Sequence, residues 1–143
     1  MSCHLKVQRI TPDAIMIGKG HVSDSGLDVT IIGVHKVISP NITMYKTGLR
    51  LQPDEGYYTK LYARSSLMKY GCMLANNVAI IDESYRGELL VVLYHFENTG
   101  QELTLPAKVA QLVVEKRIDV NVVEVDSLDE TVRGSGGFGS TGK

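Results

Sequence analysis

The chain has 143 residues, about one domain at a prior of ~150 residues each. A hydrophobic fraction of 43% and a charged fraction of 22% are ordinary for a globular domain with a single packed core. Fifteen Lys and Arg against sixteen Asp and Glu leave a formal charge of −1, which excludes a generic nucleic-acid or anionic-membrane binder with its large basic excess.

Apolar alternation of period two dominates from the start. It predicts strands over residues 5–10, 29–32, 34–38, 48–51, 57–62, 78–81, 88–96, 109–115 and 120–125. Turn signals separate them, among them Ser39-Pro40-Asn41, Pro53-Asp54-Glu55-Gly56 and Asn98-Thr99-Gly100. Many short strands joined by polar turns give an all-β barrel or sandwich. One short helix is expected after Arg64, where Ser65 or Ser66 caps Leu67-Met68-Lys69-Tyr70 before Gly71. Residues 76–87 place two apolar runs around a polar bend, which predicts a β-hairpin.

After Val125 the apolar pattern stops, and residues 133–143 read RGSGGFGSTGK. Five glycines in eleven residues form no element on their own, because each loses extra backbone entropy on ordering. A floppy tail is the plain reading. Arg133 and the lone aromatic Phe138 instead point to an arm that covers something, so residues 1–126 are read as the core and 127–143 as the arm. The GxxxxGK at the very end is no P-loop, since no helix can follow Lys143 to present its N-terminus to a phosphate.

No run reaches the ~20 apolar residues of a membrane span, and the first residues lack the apolar core of a secretory signal. Cys3 and Cys72 stand alone, so a disulfide scaffold and a structural zinc site are not expected. The protein is read as intracellular, cytoplasmic or nuclear, with no membrane partner. His4, His21, His35 and His95 share no metal-ligand spacing.

Candidate chemistry lies in a few polar segments. Asp82 follows a continuous apolar run and sits where burial ends, where a carboxylate could serve as a general base, although spacing alone favours a solvated turn aspartate. Arg64 with Ser65 and Ser66 at a helix start offers charge, hydroxyls and free N–H groups to a phosphate, or simply an N-cap. Residues 24–28 (DSGLD) read as a turn and 109–112 (VAQL) as a strand with one amide.

In order, these segments resemble the trimeric deoxyuridine triphosphatases (dUTPases). Residues 25–29 (SGLDV) are similar to the family's first motif and 63–67 (ARSSL) to its second. Residues 79–87 (AIIDESYRG) resemble the third, 110–112 (AQL) the fourth, and 133–142 (RGSGGFGSTG) the fifth and most specific. The likeness spans nearly the whole chain.

The resemblance implies a compact β-barrel, jelly-roll-like (β-clip) subunit with one short helix and a flexible glycine-rich C-terminal arm. It implies hydrolysis of dUTP to dUMP and pyrophosphate, limiting uracil in DNA and supplying dUMP, with Mg²⁺ held mainly by the triphosphate. By matching positions, Asp82 would activate the water that attacks the α-phosphate, and Asp28 would hold metal-bound water. Arg64, Ser65, Ser66 and Gln111 would contact the phosphates, with Arg133, Ser140 and Thr141 clasping the distal end. Asn76, Ala79 and Ile81 would read the uracil, Tyr85 would lie under the deoxyribose, and Phe138 with Gly139 would close over the base. The implied partners are dUTP and two further copies in a homotrimer, with one copy's arm closing over a site formed by the others.

The chain departs from the family at Ala63, Ser66, Leu27, Ala79 and residues 105–109, all outside the groups assigned to chemistry except Ser66 and Ala79. A dCTP deaminase of the same fold, or a bifunctional one, is the nearest rival. It is disfavoured because Tyr94 stands where the deaminases carry a catalytic glutamate. A non-enzymatic partner-binding protein is the other alternative, and it would need a damaged site.

Overall fold

Period-two burial draws the strands into two antiparallel sheets, whose inner faces meet as one core. The computed structural model describes residues 2–97 and 100–140. In chain order these form β1 (Leu5–Arg9), β2 (Leu27–Ile31), β3 (Gly33–Ser39), β4 (Ile42–Pro53) and β5 (Tyr57–Ala63). A 3-10 helix (Ser65–Tyr70) follows, then β6 (Cys72–Leu74), β7 (Ala79–Ile81), β8 (Glu88–His95) and β9 (Ala107–Lys116).

The first sheet runs β1-β4-β8-β6, with β3 also on β4. The 12-residue β4 serves three partners by dividing its length. Residues 42–46 lie between β3 and β8, while residues 49–53 pair with β1. The division falls at Thr47-Gly48. Gly48 takes a φ of +72°, and a Cβ there would stand 2.3 Å from Thr11 Oγ1 and 2.9 Å from the Ala14 methyl. Thr47 is fully buried yet satisfied: its hydroxyl donates to the Leu89 carbonyl (2.6 Å) and accepts from the Leu49 N–H (3.2 Å).

The second sheet runs β2-β9-β5-β7. Val29 and Ile31 of β2, Leu61 of β5, and Val109 and Leu112 of β9 are sealed against Leu89, Val91 and Leu93 of β8. At roughly 1.5–3 kcal/mol per buried aliphatic side chain, this interface is the main source of stability. The all-β class and the short helix are therefore as expected, and no described helix is long and apolar enough to cross a membrane.

Three expectations are corrected. The helix has no serine cap: Ser65 is already inside it, and the capping position belongs to Arg64, which makes no side-chain cap bond. Its end does follow the glycine rule, with Gly71 left-handed at φ 64° and donating to the Met68 carbonyl. Residues 76–87 form no hairpin. β7 pairs with β5 in the second sheet and β8 with β4 and β6 in the first, so residues 82–87 arch from one sheet to the other. Alternation alone cannot say which sheet a strand joins. Lastly, residues 120–125 form no strand; β9 ends at Lys116, and no ladder is found over residues 117–140. A strand needs a partner for its N–H and C=O groups, and this segment has none among the described residues.

Where β6 meets β8, Cys72 lies opposite His95. The thiol sits 3.1 Å from His95 Nδ1 and the Tyr45 hydroxyl 2.9 Å from Nε2, and burial lowers the pKa of the imidazole. The sign follows directly. Below the ordinary value of 6.5 the unfolded chain takes up a proton that the folded chain resists, so stability is full above that pH and falls below it. The thermal midpoint should drop as pH goes from about 7.5 to about 5.5, and His95→Gln should flatten that slope. An identical slope in the two proteins would discount the histidine.

Candidate active site

Register builds the first polar cluster. In the β2–β9 ladder Asp28 lies opposite Gln111, and in the β5–β9 ladder Gln111 lies opposite Tyr62, one residue before Ala63. The Gln111 amide donates to the Ala63 carbonyl at 3.0 Å, which fixes its direction. Arg64 leaves the end of β5 with its N–H on the Val109 carbonyl (3.0 Å) and its guanidinium on the Lys108 carbonyl (3.1 Å). Its Nε meets Asp28 Oδ1 at 3.0 Å, and Lys108 Nζ stands 3.8 Å from Oδ2. One carboxylate thus faces two cations.

These groups open on a polar cavity of about 380 Å³, lined by Ser25, Gly26, Asp28, Arg64, Ser65 and Gln111. Gly20, His21 and Asp24 close its other side. Asp24 accepts from the His21 N–H (2.8 Å) and donates its own N–H to the His21 carbonyl (3.0 Å), a turn that carries the imidazole to the rim. Neither stands out in the sequence as a site residue: His21 shares no metal-ligand spacing, and Asp24 reads only as part of the 24–28 turn. Ser66, one residue into the helix, does not line the cavity. Gly26 is required by contact: a Cβ there would fall 2.2 Å from Gln111 Oε1.

The second cluster is the arch between the sheets. Ile81, Asp82, Tyr85 and Glu88 line a cavity of about 210 Å³ with Ile80 and Leu89–Leu90 around it. Tyr85 folds back so that its hydroxyl donates to the Glu88 carbonyl at 2.8 Å. Gly87 makes room for the ring, since a Cβ at Gly87 would lie 2.4 Å from the hydroxyl. Asn76, exposed in the turn before β7, and Ala79, paired with Leu61, do not line that cavity. Asp82 is exposed, and among the described residues its carboxylate has no hydrogen-bond or ion-pair partner. Glu83 beside it is tied instead, to the Gly56 N–H and to Arg117, and those bonds, the backbone one first, hold its pKa below the usual carboxylate value.

The two clusters do not meet within one chain. Ile81 lies opposite Thr59 and Gln111 opposite Tyr62, on strands two apart in the sheet. At ~3.3 Å per residue and ~4.8 Å per strand, Asp82 and Gln111 are separated by roughly 16 Å. The arm joins neither cluster: Arg133 Nε donates to the Gly136 carbonyl (2.7 Å), and the Gly137 N–H donates to the Ser140 hydroxyl (2.8 Å). Phe138, at φ 53°, is wholly exposed beside Gly139 at φ 82°. Thr141 lies outside the described residues.

Among the described residues no group of three or more His, Cys, Asp or Glu side chains converges as a metal cage. Asp24 and Asp28 on one open polar cavity nevertheless fit Mg²⁺, which keeps several waters, uses one or two carboxylates and takes its other ligands from substrate phosphates.

A family model described as dUTPase matches residues 13–142. The deoxyuridine 5'-triphosphate nucleotidohydrolase of Arabidopsis thaliana is 35% identical over 137 residues, covering 96% of this chain and 82% of that protein. That of Clostridioides difficile is 36% identical over 141 residues, covering 97% and 98%. Among solved structures, a mutant dUTPase of Staphylococcus bacteriophage 80alpha with dUpNHpp superposes at a TM-score of 0.79 and 22% identity, over 98% of this chain and 99% of that one. A mutant dUTPase from phage phi11 of S. aureus, described with a structural Mg(II) ion, gives 0.72 and 21% over 89% and 99%. At those identities the two structures speak for the fold.

Gly26→Ala should destabilise the protein by about 1–3 kcal/mol, because the methyl displaces a hydrogen-bonded Gln111. Adding Gln111→Ala should recover part of that loss, read as non-additive denaturant midpoints. Strict additivity would mean the two side chains do not compete for the same space.

Proposed function

The chain belongs to the dUTPase family, and on that premise we propose that it hydrolyses dUTP to dUMP and pyrophosphate at a site completed by neighbouring copies. The observation that carries this reading is the convergence of Asp28, Arg64, Ser65 and Gln111, from three separate stretches, on one polar cavity. Arg64, Ser65, Ser66 and Gln111 bind the phosphate chain, and Arg133, Ser140 and Thr141 clasp its far end. Asp28 would hold, through water, the Mg²⁺ that accompanies the triphosphate. When bound, that ion offsets negative charge developing on the phosphate oxygens.

Asp82 orients a water molecule and accepts its proton as the water oxygen bonds to the α-phosphorus. The bond from that phosphorus to the bridging oxygen breaks, and pyrophosphate leaves with the electron pair. An exposed carboxylate is free for this work because, among the described residues, nothing competes for it. Backbone groups at Ala79 and Ile81 read the uracil edge, assisted by Asn76. A cytosine would place a donor against a donor, and a buried mismatch of that kind costs orders of magnitude in specificity. Tyr85 underlies the deoxyribose, leaving no room for a 2′-hydroxyl. Phe138 and Gly139 close over the base and exclude water.

The assembly is a homotrimer. The separation of Asp82 from the phosphate cavity supports a site shared between copies. So do Ile118, Val120, Val122, Val123 and Leu128, apolar and exposed beyond β9, as a segment that finds its cover on another copy. Residues 127–143 act as the arm that closes the shared site. The unpaired cysteines Cys3 and Cys72 support an intracellular setting, cytoplasmic or nuclear.

A panel of dUTP, dCTP, dTTP and UTP, with and without Mg²⁺, tests the reading by pyrophosphate release. Release from dUTP alone is expected, and ammonia from dCTP would favour a deaminase. Asp82→Asn should lower kcat by at least about 1000-fold with nucleotide binding retained, since it removes a base and little contact area. Wild-type turnover in that variant would end the assignment. Gly87→Ala should push Tyr85 off the Glu88 carbonyl and weaken the preference for dUTP over UTP by roughly tenfold, measured as a ratio of kcat/KM values. An unchanged ratio would remove the tyrosine from sugar selection.

A further inference from the structure

We propose that Glu83 and Arg117 are positioning residues that hold the Asp82 carboxylate in line for water activation, a proposal that rests on the general-base reading of Asp82. Among the described residues the Asp82 carboxylate has no hydrogen-bond or ion-pair partner to fix its direction, so its aim is set by the backbone on either side. On its C-terminal side the next residue is locked at three points. Glu83 Oε1 accepts the Gly56 N–H at 2.7 Å, in the turn between β4 and β5. Glu83 Oε2 accepts Arg117 Nε at 2.9 Å. Arg117 then closes the loop on itself, because its own N–H donates to the Gly56 carbonyl at 2.7 Å.

Gly56, Glu83 and Arg117 thus form a ring of three charge-assisted or backbone bonds across three separate stretches of chain. The Arg86 guanidinium adds a bond to the Glu83 carbonyl at 2.6 Å, pinning the backbone as well as the side chain. The Glu83 carboxyl is only 23% exposed, so its bonds work in a partly dry setting where they are stronger than on an open surface. Arg117 is the first residue beyond β9, where the chain leaves the sheet, and it also holds Asp119. The ring therefore ties the Asp82 loop to the root of the C-terminal segment. A reacting group displaced by about 1 Å can lose ~100-fold in rate, which is the effect such a ring prevents.

Glu83→Ala and Arg117→Met, each made in the full chain, should lower kcat on dUTP by roughly 10–100-fold with KM within about twofold of wild type. Introduced into Asp82→Asn, either change should leave the residual rate unaltered, because the group being aimed is gone. A purely structural role would lower the rate equally in both backgrounds, and that result, or an unchanged kcat, would overturn the proposal. Should Glu83→Ala fail to fold, Arg117→Met, which keeps the aliphatic stem at a half-exposed site, decides alone. Wild-type turnover in Asp82→Asn itself would instead strike the general-base premise, so the two failures are told apart by that single control.

Discussion

The polar cavity and the Glu83–Arg117 pair are both referred to β9. Ten residues long, it pairs with β2 on one edge and β5 on the other, and its buried residues Ala107, Val109, Ala110 and Leu112 are part of the core. That burial fixes the register, since a slip of one residue would turn the whole apolar set outward. Once the register is fixed, Gln111 must face Asp28 on one side and Tyr62 on the other. The carbonyls of Lys108 and Val109 then receive Arg64. The end of the same strand delivers Arg117 to Glu83. Hydrophobic burial thus aligns groups that are themselves polar and would not find each other unaided.

The register is also broken where the site needs it. The β2–β9 ladder shifts between Val29 and Thr30, leaving the pairs Val29–Ala110 and Thr30–Lys108 with Val109 taken up between them. Such a bulge turns local side-chain direction while preserving the ladder on either side. Val109 and Ala110, adjacent in sequence, are both wholly buried, which strict alternation would forbid. Here the carbonyl of Val109 is engaged by Arg64, so the irregularity and the site occupy the same place.

Much of this was legible in the sequence. Period-two alternation locates β1, β5, β8 and β9 within a residue or two, and Gly71 marks the helix end for the reason a left-handed cap prefers glycine. What alternation cannot carry is partnership. β7 and β8 read as two arms of a hairpin because they are close in sequence and polar between, yet they belong to opposite sheets. The three residues of β6 are too few for any period to register. Residues 120–125 have a strand's composition without a strand's partner. For the site, family likeness singles out Asp28, Arg64, Ser65 and Gln111, which line one cavity. His21 and Asp24 escaped because a turn, carrying no motif, brings them in, and the Glu83–Arg117 pair because its members lie 34 positions apart.

The polar residues divide into those bound within the chain and those left free, and the division follows what each must do. Arg64 and Asp28 hold each other, so removing Asp28 leaves Arg64 and Lys108 as like charges without their shared carboxylate, and a change there reaches the fold as well as the cavity. Among the described residues the Asp82 carboxylate bonds nothing, and its loss costs the fold little contact. The two neighbouring carboxylates thus differ in kind: Glu83 ties the turn at Gly56 to Arg117 at the end of β9, while the Asp82 carboxylate stays out of that network.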